Sequence, residues 1–240
     1  MIMEKHSERL SRMSFSQTFV MSNKVREMKA KGLDVISLTL GEPDFDVPKN
    51  IKEAAFEAIN NNFSHYSPVP GFLDLRQAIC DKLKRDNNLD YLPSQICVSN
   101  GAKQSILNVL ASVLNDGNEV ILPAPYWVSY DEMVKMMGGT SVFVETSIET
   151  EFKITAEQLE KAITPKTKVL LYSSPCNPSG SVYTYEELEK IADVIAKYPQ
   201  ITIITDEIYE FINYDGKHTS IAQFPQVYEQ TAVINGMSKA

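Results

Sequence analysis

Residues 201–210 read Ile-Thr-Ile-Ile-Thr-Asp-Glu-Ile-Tyr-Glu. The first half, Ile201 to Thr205, is β-branched throughout and mostly apolar, the composition of a strand buried on both faces of a parallel sheet. It runs directly into two carboxylates and a phenol. In open α/β sheets ligands bind outside the carboxyl ends of the strands, so Asp206 and Tyr209 stand where site residues stand. A strand-ending aspartate also often does no more than cap the following turn, so this stretch needs a second signal. That signal is a second β-rich run, Thr231 to Ile234, which ends in Asn235-Gly236-Met237-Ser238-Lys239. An amine and a carboxylate are thereby expected at adjacent strand ends.

Composition bounds the chemistry. The 240 residues are 43% hydrophobic and 22% charged, enough for a substantial globular core. A formal net charge of −8 argues against nucleic acid or an anionic membrane as the main partner, since either selects a basic face. No apolar run reaches the ~18 residues of a membrane span, and Met1 to Arg12 is too polar for a signal peptide, so a cytoplasmic location is expected. Cys80, Cys97 and Cys176 are odd in number and lack C-x-x-C spacing, and His6, His65 and His218 are scattered. Neither a disulfide framework nor a metal cluster is expected, and the cysteines read as core or pocket-wall residues.

Working outward, the first fifty residues read as an arm. Ser16 to Lys31 has helical composition and closes on Gly32 after a basic last turn. Val35 to Leu40 reads as a short strand opening into Gly41-Glu42-Pro43-Asp44-Phe45-Asp46, where glycine admits close approach to the backbone and Pro43 forbids a helix. Pro48 starts a helix to about Asn60, with Ile51, Ala54, Ala55, Ala58 and Ile59 on one face. Ser64 to Gly71 is a proline-rich loop, and the spacing of Phe72, Leu75, Ile79 and Leu83 predicts a helix with those residues in the core.

From Gln95 onward strands and helices alternate. Strands are predicted at Ile96–Ser99, Glu119–Leu122, Thr140–Glu145, Lys168–Ser173 and the two runs above. Helices are predicted at Lys103–Asn115, from Trp127 to Met137, after the capping box of Thr155 and Gln158, and after that of Thr184 and Glu187. With no internal repeat or long linker, the chain from about Pro48 reads as one α/β layered body.

Ligand-type residues now stand at several strand ends: Asn100 to Lys103, Tyr126 and Trp127, Asn177, and Asp206 with Tyr209. Together with Lys239 they make the pair that pyridoxal phosphate (PLP) requires, an amine for the aldehyde and a carboxylate for the pyridine nitrogen. The chain is similar along its whole length to fold-type-I PLP enzymes, specifically class I aminotransferases of the bacterial aspartate aminotransferase group. The motifs that carry the resemblance are G-E-P-D-F-D at 41–46, P-Y-W at 125–127, N-P-S-G at 177–180, D-E-I-Y at 206–209 and S-K-A at 238–240.

The resemblance implies a role for each matching residue. Lys239 would hold PLP as an internal aldimine and then act as the general base. Asp206 would keep the pyridine nitrogen protonated, Asn177 and Tyr209 would donate to the ring's phenolate oxygen, and Trp127 would stack on the ring. The N–H groups of Gly101, Ala102 and Lys103 would hold the phosphate at a helix N-terminus, and Tyr66 would reach the phosphate of the other subunit of a homodimer. Gly41, Trp127 and Asn177 would meet the substrate α-carboxylate, while Thr18 and Lys103 would read an acidic side chain.

The expected activity is transfer of the amino group of aspartate, or a similar amino acid, to 2-oxoglutarate by a ping-pong mechanism. A β-elimination lyase or a non-catalytic PLP-binding module on the same scaffold is the alternative. The expected fold is the three-layer large domain of the fold-type-I PLP transferases, mostly parallel, with residues 1–47 as arm and short strand and residues 48–240 as the PLP-binding domain. Relative to the family pattern, the sequence stops one residue after the lysine. The last strand, the arginines for phosphate and α-carboxylate, and the small C-terminal domain are therefore expected to be missing, leaving an incomplete domain and an inactive fragment.

Overall fold

The computed structural model describes residues 7–14, 17–214 and 216–239. Five strands, β1 (Glu119–Ala124), β2 (Thr140–Glu145), β3 (Thr167–Ser173), β4 (Thr202–Asp206) and β5 (Thr231–Ile234), form one sheet in the order β2-β1-β3-β4-β5. Every pairing is parallel. The register sets Ser173 beside Asp206 and Asp206 beside Ile234, so β3, β4 and β5 end at one level. The order reverses at β1, whose neighbours β2 and β3 lie on opposite sides, and a doubly wound sheet opens its binding crevice at such a switch point.

Helices cover both faces because the strands are apolar on both. On one face Ile121, Leu170 and Ile203 pack with Leu159 of α7 (Ala156–Ala162) and with Leu188, Ile191 and Ile195 of α8 (Tyr185–Ile195). On the other, Val120, Leu122, Val169, Leu171 and Ile204 pack with Ile106 and Leu110 of α5 (Ala102–Val113) and Tyr130, Met133 and Val134 of α6 (Ser129–Met136). Each fully buried aliphatic side chain contributes about 1.5–3 kcal/mol of transfer free energy. Both predicted capping boxes form: Thr155 accepts from Gln158 N, and Thr184 from Glu187 N. They fix where α7 and α8 begin, and hence which stripe each turns to the sheet.

The amino-terminal part holds α1 (Glu8–Ser11), α2 (Gln17–Ala30), α3 (Lys49–Asn60) and α4 (Leu73–Asn87). Gly32, at φ +78°, ends α2 as the sequence predicts, with Leu33 N–H donating to Met28 O at 3.2 Å. Among the described residues no helix is long and apolar enough to cross a membrane.

Several expectations require correction. Val35–Leu40 is not a strand, and Ile36 and Leu38 are 90% and 92% exposed. Ile96–Ser99 is not a strand either; Val98 N–H donates to Pro70 O, in a loop, at 3.0 Å. Both segments have strand composition, but a strand persists only through a ladder, and among the described residues neither has a ladder partner. Cys97 is consequently exposed rather than in the core, whereas Cys80 is buried. The stripe of α4 is only half used: Leu83 is buried, while Phe72 and Leu75 are exposed. The apolar face of α3 likewise stays open at Ile51 and Ile59.

Candidate active site

Four segments leave the carboxyl ends of β1, β3, β4 and β5 and carry Trp127, Asn177, Asp206 with Tyr209, and Lys239. Asp206 is the last residue of β4 and only 3% exposed. Its Oδ2 accepts from the Tyr130 hydroxyl at 2.7 Å, and its Oδ1 from Ile208 N–H at 3.2 Å. Burial pushes the Asp206 carboxyl above its ordinary value; the two hydrogen bonds oppose that shift, and neighbouring Glu207 adds to it. Burial together with the Asp206 anion pushes the Tyr130 phenol well up, so Tyr130 remains a donor. Each carboxyl oxygen of Asp206 thus accepts one donor, which leaves lone pairs to spare.

Around it the predicted residues fall into two linked groups. Asn177 Nδ2 donates to the Tyr209 hydroxyl at 3.4 Å, and Lys239 Nζ lies 5.9 Å from the centre of the Tyr209 ring. The same amine donates to Gly41 O at 2.7 Å, which brings the arm to the end of β5. This contact uses the carbonyl of Gly41, so its N–H stays available for the carboxylate role expected of Gly41. In the second group Lys103 Nζ sits 4.9 Å above the Trp127 ring, and Trp127 meets Tyr130 edge-on with ring centres 5.5 Å apart. Trp127 thereby links Lys103 to the Tyr130–Asp206 pair. Burial pushes the Tyr209 phenol up, and its bond to Asn177 opposes that.

Gly101 N-caps α5 at φ +85°, a left-handed conformation that suits glycine. Helix geometry leaves the N–H groups of Ala102 and Lys103 without intrahelical acceptors, beside the side chain of Lys103. Tyr66 is fully exposed. Thr18 lies in the first turn of α2, and its side chain is outside the described residues.

The sequence reading passed over Tyr130. Its signal was its place three residues after Trp127, in the first turn of α6, but a tyrosine on the buried face of a helix reads as core until the strand it touches is known. It also passed over Glu207 and Glu210. Glu207 is buried and accepts from the hydroxyls of Thr205 at 3.1 Å and Ser220 at 2.6 Å, with His218 Nε2 at 2.9 Å.

The family described as aminotransferase class I and II matches residues 33–240. A probable aspartate/prephenate aminotransferase of Rhizobium leguminosarum is 50% identical over 236 residues, covering 98% of this chain and 59% of that protein. The crystal structure of the aspartate aminotransferase from Rhizobium meliloti superposes with a TM-score of 0.95 at 37% identity, over 98% of this chain and 60% of that one. The Thermus thermophilus aspartate aminotransferase solved with maleate gives 0.94 at 40% identity, over 99% and 61%. The chain therefore spans about three-fifths of the length of the relatives it matches.

Proposed function

Because the chain belongs to the class I and II aminotransferases, we propose that the protein it forms part of moves the amino group of aspartate, or a similar L-amino acid, to a 2-oxo acid such as 2-oxoglutarate. The observation that carries this reading is the convergence of Asp206, Tyr209, Asn177 and Lys239 at the carboxyl ends of three neighbouring strands. Relatives named for aspartate and prephenate, and a neighbour solved with maleate, support an acidic substrate.

The donor set fits PLP. Asp206 is a buried carboxylate destabilised as an anion by its surroundings, and a pyridinium N–H would relieve that cost. The cofactor, when bound, supplies an electron sink for the bond broken at the substrate α-carbon. In this reading Lys239 holds the cofactor and carries the α-proton, and must first leave Gly41 O. Asp206 keeps the ring nitrogen protonated, while Asn177 and Tyr209 donate to the ring oxygen. Trp127 covers one ring face. The N–H groups of Ala102 and Lys103 take the phosphate, joined by that of Gly101 once it leaves Ser99 O. Gly41, Trp127 and Asn177 orient the α-carboxylate; Lys103 and Thr18 read a distal one. Tyr66, exposed and without a hydrogen bond among the described residues, suits a role across a homodimer.

Residues 1–47 act as arm, and residues 48–240 as the greater part of a PLP-binding domain. Residues 1–240 alone are proposed to be inactive, because among the described residues β5 leaves the sheet with an unpaired edge and the chain spans only about three-fifths of its relatives' length.

The test uses the protein extended to the length of its relatives. With PLP bound, aspartate alone should convert the visible band to that of the aminated cofactor, 2-oxoglutarate should restore it, and Lys239→Ala should abolish both. Pyruvate release without the spectral change would instead make it a lyase. Absence of both reactions would make it a binding module.

A further inference from the structure

Glu210 is a carboxylate buried to 7% exposure, immediately after Tyr209, and none of the roles above uses it. Three donors from two places in the chain converge on it. Lys82 Nζ, from α4, makes an ion pair with Oε1, and Asn87 Nδ2, at the end of the same helix, donates to Oε2 at 2.7 Å. Asn235 Nδ2 donates to Oε1 at 2.8 Å. Lys82 is itself held, by Asn87 Oδ1 at 2.8 Å and over the Phe211 ring at 5.1 Å.

Asn235 is the first residue of the turn that carries Lys239. Its amide orientation is set from both sides, since Nδ2 donates to Glu210 while Oδ1 accepts Gly236 N–H at 2.7 Å. The turn also lies close on the β4 exit: a Cβ on Gly236 would come within 3.2 Å of Ile208 Cδ1. The clamped start of the turn and the Lys239 amine are therefore four residues apart. On the other side Glu210 adjoins Tyr209, whose ring faces that amine.

We propose that Glu210 is a positioning residue for Lys239: through Asn235 it locks the lysine-bearing turn to the β4 exit, and through Lys82 and Asn87 it ties both to α4. A buried carboxylate suits this task because its two oxygens accept several donors at once, and a charge-assisted bond is stiffer than a neutral one. A reactive amine gains from being held, since a misplacement of about 1 Å costs on the order of 100-fold in rate. The inference rests on the aminotransferase reading for the value of placing Lys239, but the clamp can be tested without cofactor.

The experiment compares Glu210→Gln, Asn235→Ala, their combination and Asn87→Ala in the protein extended to the length of its relatives. Backbone hydrogen exchange at residues 236–239 is followed in the cofactor-free form, and kcat and KM are measured in the loaded one. Glu210→Gln and Asn235→Ala should each speed exchange at 236–239 by about tenfold, without further gain in the double variant, as expected for partners in one interaction. Asn87→Ala leaves the Asn235 link intact; it should lower the thermal midpoint while leaving that exchange unchanged. In the loaded enzyme kcat should fall about tenfold with KM little altered for the first two variants. Unchanged exchange at 236–239 in Glu210→Gln, or the same acceleration in Asn87→Ala, overturns the proposal. If the wild type does not transaminate, the aminotransferase reading fails while the exchange result still decides the clamp.

Discussion

The Tyr130 hydroxyl donates to Oδ2 of Asp206 across 2.7 Å, joining a helix on one face of the sheet to the end of its fourth strand. The bond favours the ionised carboxylate, against burial, which favours the neutral acid. A pyridine nitrogen needs the ionised form. Tyr130→Phe keeps the packing against Trp127 but removes the donor, so it should lower kcat/KM for all amino acids by roughly 10- to 100-fold, the worth of about 1.5–3 kcal/mol for a hydrogen bond to a charge. Steady-state kinetics with aspartate and with an aromatic amino acid would check this; a loss confined to one substrate would place Tyr130 in specificity instead.

Asp206 also makes stability depend on pH. Its folded value lies above the ordinary 3.8, so the folded state holds the proton more tightly. The stabilisation this gives is fully present below the unfolded value and is lost as pH rises through the folded one, above which the ionised carboxylate is a net cost. Asp206→Asn should therefore flatten the stability curve of the cofactor-free protein over that window. Its melting temperature above that window should equal or exceed that of wild type, although catalysis is lost. Thermal melts across the pH range decide it: an equal drop at every pH would mean the carboxylate is structurally required.

Lys103 stands at the first turn of α5, where the helix dipole disfavours a cation, and its amine rests over Trp127. If it meets a substrate's distal carboxylate, Lys103→Ala should weaken kcat/KM for aspartate and glutamate by about 1.5–3 kcal/mol and spare aliphatic and aromatic amino acids. Competing substrates in one assay give the ratio directly. Equal losses would assign the amine to the phosphate.

Two glycines separate backbone strain from crowding. Gly138 (φ +78°) ends α6, and a Cβ there would lie 1.9 Å from Asp116 Oδ1; Gly180 (φ +75°) has nothing within 4 Å. Gly180→Ala should cost only the left-handed conformation, about 1–2 kcal/mol, and Gly138→Ala should cost more because Asp116 must also move. Urea denaturation midpoints order the two variants, and equal midpoints would show that the Asp116 side chain yields freely.

The sequence by itself determined the alternation of strands and helices from Glu119 to Ile234, the two capping boxes and the cluster of Asp206, Tyr209, Asn177 and Lys239. Each of those signals is local: side-chain branching, a hydroxyl three residues before a glutamine or glutamate, polar residues where an apolar run ends. Only the tertiary structure decided the fate of Val35–Leu40 and Ile96–Ser99, because strand composition is realised only when a second strand supplies the ladder. It alone paired Tyr130 with Asp206, 76 positions apart, and Glu210 with Asn87, 123 apart. A phenol or a carboxylate has no preferred partner until folding removes water from it, and burial then makes a partner obligatory.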